Sequence, residues 1–184
     1  MRKFAFIAML LLAGFSANAQ RTSKGQSFIS LDALYTTTHG IAVGGNVEFG
    51  QYLLNSYWDC GITAANRTSP LNLGGRMEYC DYIVYGDFMY RFVGTRDRRL
   101  SFYGGGGIFL GYEAYDQMGK LPDNIDTGLG RGSFYYGVRP QLLLEVFVSR
   151  QVALALRGRV PLNWCAPHGW INYEVGLGVR ITLI

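Results

Sequence analysis

Lysine is almost missing from this 184-residue chain: Lys3, Lys24 and Lys120 are the whole set, while arginine is plentiful. A soluble barrel or sandwich bathes its polar face in water and would carry lysine there, so the scarcity argues against that class. Histidine is as rare, with only His39 and His168, which leaves little for imidazole-based catalysis or metal binding. Cysteine is limited to Cys60, Cys80 and Cys165. Three cysteines allow at most one internal bridge, which excludes a disulfide framework. The longest apolar run, residues 4–15, is well below the roughly 20 residues that a spanning helix needs.

That run reads instead as a signal peptide. Arg2 and Lys3 form its positive start, and Ala17-Asn18-Ala19 a small-residue cleavage site. Residues 1–19 are expected to be removed, leaving residues 20–184 as one domain. No cysteine follows the cleavage site, so no lipid anchor is expected. The chain should therefore be secreted, periplasmic or in an outer membrane. Losing Arg2 and Lys3 lowers the formal charge from +4 to +2, too little to argue for direct nucleic-acid binding. With 49% apolar and 16% charged residues, the composition supports an ordered fold.

What is present is alternation. Ile171, Tyr173, Val175, Leu177, Val179, Ile181 and Leu183 are apolar, and the residues between them, Asn172, Glu174, Gly176, Gly178, Arg180 and Thr182, are not. This is a strand with one apolar and one polar face. The same reading places eight strands near 28–35, 41–49, 56–63, 83–92, 100–112, 134–147, 152–160 and 171–183, and no helix. Several are about nine to thirteen residues long, the length of a tilted strand crossing a bilayer. Connections alternate between long and short, so long loops gather at one end and tight turns at the other. The expected fold is all-β: an eight-stranded antiparallel up-and-down outer-membrane β-barrel with its long loops outside the cell.

The two faces follow from composition. Ile29, Leu31, Val43, Val47, Ile62, Ile108, Leu154 and the terminal apolar set would face lipid. The other face carries Glu48, Asp59, Asp87, Arg91, Arg139, Glu145, Arg157, Arg159, Glu174 and Arg180. Arginine beside acids suits a confined lumen, where a planar guanidinium can satisfy a carboxylate through two bonds. A transport path is the competing reading of these charges. Eight strands enclose a lumen that side chains fill, so a structural network, and a closed barrel, is expected. Gly105, Gly107 and Gly137 on that face would keep the lumen from overfilling.

Other short features carry less. The glycine run in "YGGGGIFLGYE" fits no GxGxxG register and lacks the lysine of a phosphate loop. Cys165 and His168, with His39 across the closing seam, could approach a metal, but three loop ligands without a fixed surround are a poor zinc site; no metal and no cofactor is expected. Neither histidine sits beside a serine or acid at a distinctive spacing, so no catalytic residue and no enzyme is expected. Cys80 and Cys165 both fall in long loops at one end and could form a bridge. Arg96, Arg98 and Arg99, in "GTRDRR", lie in a short turn; they are either solvated or a contact for an acidic partner or anionic headgroup.

The stretches "ANAQR", "YGDFMYRFV", "LSFYGGGGIFLGYE", "GSFYYGVRPQLLLEVFVSRQVALALRGRV" and "YEVGLGVRITLI" together resemble the TraO conjugal-transfer proteins of Bacteroides-type conjugative transposons. The resemblance implies an exported outer-membrane component of a type IV-like mating apparatus. Its implied partners are outer-membrane lipid and other conjugal transfer proteins. It carries no catalytic residues across. A stand-alone surface barrel for adhesion or envelope defence, and a soluble lipocalin-like ligand binder, are the alternative readings. The chain ends Leu183-Ile184, without the terminal aromatic that many outer-membrane barrels use as an insertion signal.

Overall fold

A computed structural model describes residues 24–36, 41–70, 76–95, 99–115, 132–166 and 170–183. The strands are β1 (Ser27–Thr36), β2 (Ile41–Tyr52), β3 (Ser56–Pro70), β4 (Arg76–Gly94), β5 (Leu100–Tyr115), β6 (Gly132–Phe147), β7 (Val152–Arg159), β8 (Leu162–Trp164) and β9 (Glu174–Thr182). Each pairs antiparallel with its neighbours, and β9 returns to β1 with Leu31 opposite Val179 and Thr36 opposite Glu174. The sheet therefore closes on itself, which leaves the first and last strands paired with each other instead of presenting edges to lipid.

Nine ladders make eight wall positions. β7 pairs with β6 from Gln141–Arg159 to Phe147–Ala153, and β8 pairs with the same β6 from Val138–Leu162 to Tyr136–Trp164 in one unbroken register. The interruption is Pro161, which has no N–H to donate. Around it, the Val160 N–H donates to the Pro140 carbonyl at 3.0 Å and the Asn172 N–H to the Pro161 carbonyl at 3.0 Å. On the far side, Ile171 makes only an isolated bridge to Leu162. The last strand thus starts at Glu174, not at the expected 171.

β3 and β4 are longer than the sequence reading placed them. They stay paired up to Pro70 opposite Arg76, so most of the segment expected as a long loop is hairpin. The loop asymmetry survives in reduced form: residues 116–131 and 165–173 join strands at one end, against 53–55, 95–99 and 148–151 at the other. The tight turns have local causes. The Leu53 N–H donates to the Ser56 carbonyl at 2.8 Å, and Ser149 Oγ accepts the Val152 N–H at 3.0 Å, which closes the turn between β6 and β7.

Burial shows which face looks where. Ile108 is 71% and Leu177 63% exposed, whereas Arg180 and Glu145 are at 0%. A water-soluble barrel would show the reverse, because removing arginine from water into an enclosed site is costly unless its charge is met there. Row by row, Leu154, Val179, Leu31, Val47, Ile62 and Val84 stand opposite one another across six neighbouring strands. They form an apolar outer belt that water would penalise and lipid would not. Exposed Trp58, Tyr90, Phe92 and Phe102 lie toward the turn end of the belt, and Tyr35, Tyr82, Phe134, Trp164 and Tyr173 toward the loop end. This is the double aromatic girdle of a barrel set across a bilayer.

Candidate functional site: the charged lumen

Period 2 sends every second residue of each strand inward, and two glycines show how tightly the inward face is filled. A Cβ on Gly178 would lie 1.7 Å from Asp32 Oδ1, and one on Gly107 1.8 Å from the Gly86 carbonyl oxygen. Only glycine fits at such an approach. At the turn end the lumen is closed by an apolar cluster of Phe28, Tyr52, Tyr57, Met89, Tyr103, Leu143 and Phe147. The rings of Phe28 and Tyr52 are 4.9 Å apart, and those of Tyr57 and Tyr103 meet edge to face at 5.0 Å.

Above this seal sits Glu48, with 1% of its surface exposed. Arg157 grips both its oxygens, Nη1 to Oε1 and Nη2 to Oε2, the latter at 2.8 Å. Arg159 Nη2 reaches Oε1 at 2.8 Å, and Arg180 Nη2 lies 3.5 Å from Oε2. Asn46 Nδ2 and Tyr85 Oη each donate to Oε1 at 2.8 Å. One carboxylate thus gathers three guanidinium groups drawn from β7 and β9. The surplus positive charge is met outward from this centre: Arg157 lies 3.3 Å from Asp32 Oδ2, and Arg180 lies 3.2 Å from Glu145 Oε1. Arg180 also stacks 3.9 Å above the Phe28 ring, which ties the ion network to the apolar seal.

A second pair stands beside the first. Arg139 binds Asp87 Oδ2, which also accepts Gln141 Nε2 at 2.8 Å, and the Arg139 guanidinium stacks 3.5 Å from the Tyr85 ring centre. Arg159 Nε donates to Gln141 Oε1 at 3.1 Å and so joins the two groups. Asp59 is buried opposite Asp87 in the β3–β4 register, with neither oxygen in a hydrogen bond among the described residues. Toward the loop end, Arg67 Nη2 lies 2.8 Å from Asp81 Oδ2 and 3.5 Å from Glu174 Oε1, and Tyr135 donates to Asp81 Oδ1.

Nine of the ten residues read from the sequence as a lumen network, Glu48, Asp59, Asp87, Arg139, Glu145, Arg157, Arg159, Glu174 and Arg180, are buried inside the barrel. Arg91 is the exception. It lies near the turn end of β4 and donates from Nη2 to Asn55 Oδ1 at 2.9 Å, on the β2–β3 turn, beyond the seal and apart from the other charges. The bridge between Cys80 and Cys165 is also absent: both are free, as is Cys60. Cys80 belongs to β4 instead of a loop, with Sγ 3.1 Å from Asn66 Oδ1 on the paired strand. Cys165 follows β8 in a left-handed conformation, φ 63°. Arg96, Arg98, His39 and His168 lie outside the described residues; Arg99 is described, and its carbonyl accepts the Phe147 N–H at 2.8 Å. Among the described residues no group of three His, Cys, Asp or Glu side chains is placed to hold a metal.

Sequence reading missed Arg67 and Asp81 because it ended the strands at 63 and began the next at 83. The signal was present: Asp59, Thr63 and Arg67, like Asp81, Tyr85 and Asp87, keep the same parity along their strands. The polar apices Asn46 and Tyr85 were also missed, since an uncharged side chain on the inward face does not announce that it bridges charges.

A closed antiparallel wall of eight strands, apolar outside and packed with ion pairs inside, defines a small outer-membrane β-barrel. Solved structures agree on the fold. Neisserial surface protein A shares 14% identity over 88% of this chain and 98% of its own, with a TM-score of 0.61. The attachment invasion locus protein Ail of Yersinia pestis shares 12% over 88% and 100%, TM-score 0.56, and OprG of Pseudomonas aeruginosa 11% over 89% and 96%, TM-score 0.56. Within that class the chain belongs to the TraO family: the family described as conjugative transposon protein TraO matches residues 36–183. A comparison with curated protein sequences found no match.

Two outcomes follow from the packed lumen. Glu48→Leu removes the shared anion and strands Arg157 and Arg159, so it should cost about 3–5 kcal/mol of unfolding free energy; urea titration of refolded protein in micelles reads it, and a loss under about 1 kcal/mol would mean the network is incidental. In planar bilayers the wild-type barrel should conduct almost no ions, and large stable openings would contradict the seal.

Proposed function

We propose that this chain is a non-enzymatic structural component of a conjugative DNA-transfer apparatus, exported by a cleaved signal peptide and seated in the outer membrane. The observation that carries the reading is the sealed lumen in a member of the TraO family. With the Phe28–Phe147 cluster closing one end and the Glu48 network filling the middle, neither a DNA strand nor a protein could pass through the barrel. Its contribution to transfer is then mechanical: a rigid body in the membrane to which other transfer proteins attach at the loops or turns.

An in-frame deletion in a donor strain should lower mating frequency by orders of magnitude, with restoration by the full chain supplied in trans. Unchanged mating would defeat the proposal. Copurification with other transfer proteins separates it from a stand-alone surface barrel, which would leave the membrane without them.

A further inference from the structure

The aromatic girdle at the loop end has a gap. Tyr35 on β1, Tyr82 on β4, Tyr112 on β5, Phe134 on β6, Trp164 on β8 and Tyr173 before β9 mark that level of the wall. β2 and β3 carry no outward aromatic there: Val43 stands opposite Tyr35, Asn66 opposite Val43 and Cys80 opposite Asn66. One row farther into the belt the same strands are stripped of bulk. Ala33, Gly45 and Ala64 pair in line across β1, β2 and β3, and all three are exposed on the outer face. Leu177 flanks them on one side and Tyr82 on the other. The result is an apolar groove of about 1330 Å³ in the outer wall, which runs along the strands past Val47 and Ile62 to Phe49 and Cys60. That exceeds the roughly 300–1,000 Å³ of an ordinary small-ligand pocket, and its length along the strands suits an extended occupant.

The mouth of the groove is polar. A smaller recess of about 200 Å³, lined by Val43, Asn66, Cys80 and Tyr82, shares Ala64 with it. Cys80 Sγ donates to Asn66 Oδ1 at 3.1 Å, which holds the amide, and no described residue accepts from Asn66 Nδ2. Two N–H donors are thus left on an exposed side chain at the edge of the hydrocarbon, where an unmet donor is costly. Groove and belt form one continuous apolar surface, so whatever fills the groove enters it from the bilayer without leaving hydrocarbon. An acyl chain is narrow and extended, as the groove is, and its ester carbonyl lies where the chain meets the interface, at the level of Tyr35 and Asn66. A second copy of the barrel would bring another convex wall, which spans a narrow groove without filling it.

We propose that the β1–β3 groove binds one acyl chain of a membrane glycerophospholipid, its ester carbonyl accepting from Asn66 Nδ2 and its methylenes lying over Ala64, Gly45 and Ala33. This rests on the inside-out wall of the barrel and is independent of any role in conjugation.

The test uses the full mature chain in detergent micelles, titrated with dimyristoyl phosphatidylethanolamine and read by native mass spectrometry, with folding checked by heat-modifiable gel mobility. The wild type should retain one saturable lipid. Ala64→Phe, which fills the groove, should abolish that adduct, while Leu142→Phe, at an exposed belt position on β6, should leave it unchanged. Asn66→Leu should weaken binding about three- to tenfold. The ether-linked analogue, which lacks the carbonyl, should bind the wild type equally weakly, and combining it with Asn66→Leu should cost nothing further. If Ala64→Phe does not fold, Ala33→Leu, also on the exposed face, carries the same comparison. Absence of a saturable adduct, equal affinity in wild type and the groove-filling variant, or indifference to both Asn66→Leu and the ether lipid would overturn the proposal. So would a dimer that Ala64→Phe dissociates while no lipid is retained, which would give the groove to a second copy of the chain.

Discussion

The charges at the middle of the lumen are arranged around the carboxylate of Glu48. It lies on β2, and the guanidinium groups that converge on it come from β7 and β9, more than a hundred residues away in sequence. An arginine buried in a membrane-spanning wall is tolerable only when its charge is answered at contact distance. Three arginines cannot be answered by one acid, so Asp32 and Glu145 take up the remainder. The β1–β9 closure and the β7–β9 pairing bring these groups into range, and the network in turn fixes which strands must meet.

That arrangement explains features which look unrelated. Glycine is needed at Gly178 because Asp32 occupies the space a Cβ would take. Tyr85 is inward because it donates to Glu48 and underlies Arg139. Phe28, at the start of β1, both seals the turn end and supports Arg180 from below. Among the described residues the interior is held by ion pairs together with two aromatic-rich apolar clusters, while the exposed aliphatic belt faces outward. Removing one member therefore leaves others buried without a partner, which is a larger penalty than the loss of one bond.

Much of this is legible in the sequence. The alternation from Ile171 to Leu183 and its repeats gave the strand class, the direction of each face and nine of the buried charges. The absence of lysine from the strands decided the inside-out reading. Three things were not legible, for physical reasons. Where a strand ends depends on its partner's backbone, so β3 and β4 ran on to Pro70 and Arg76. Arg91 keeps the inward parity of Met89, but it lies past the aromatic seal, and parity alone does not encode depth. Cys80 and Cys165 were expected to share a loop end, but Cys80 is set in a paired strand. Pairing between distant charges, such as Glu48 with Arg159, is a property of closure that no local pattern carries.

Membership of the TraO family and a barrel closed to passage fit together if the protein anchors an assembly and does not form its channel. The central claim is that the apolar face meets lipid while the charged face is enclosed. The most direct measurement is a nitroxide at Val47, next in sequence to Glu48, in the refolded protein in vesicles. With Val47 in lipid, relaxation by oxygen, which concentrates there, is strong and relaxation by a water-soluble nickel chelate is weak. Strong relaxation by nickel with little from oxygen would put Val47 in water and contradict the fold's inside-out logic.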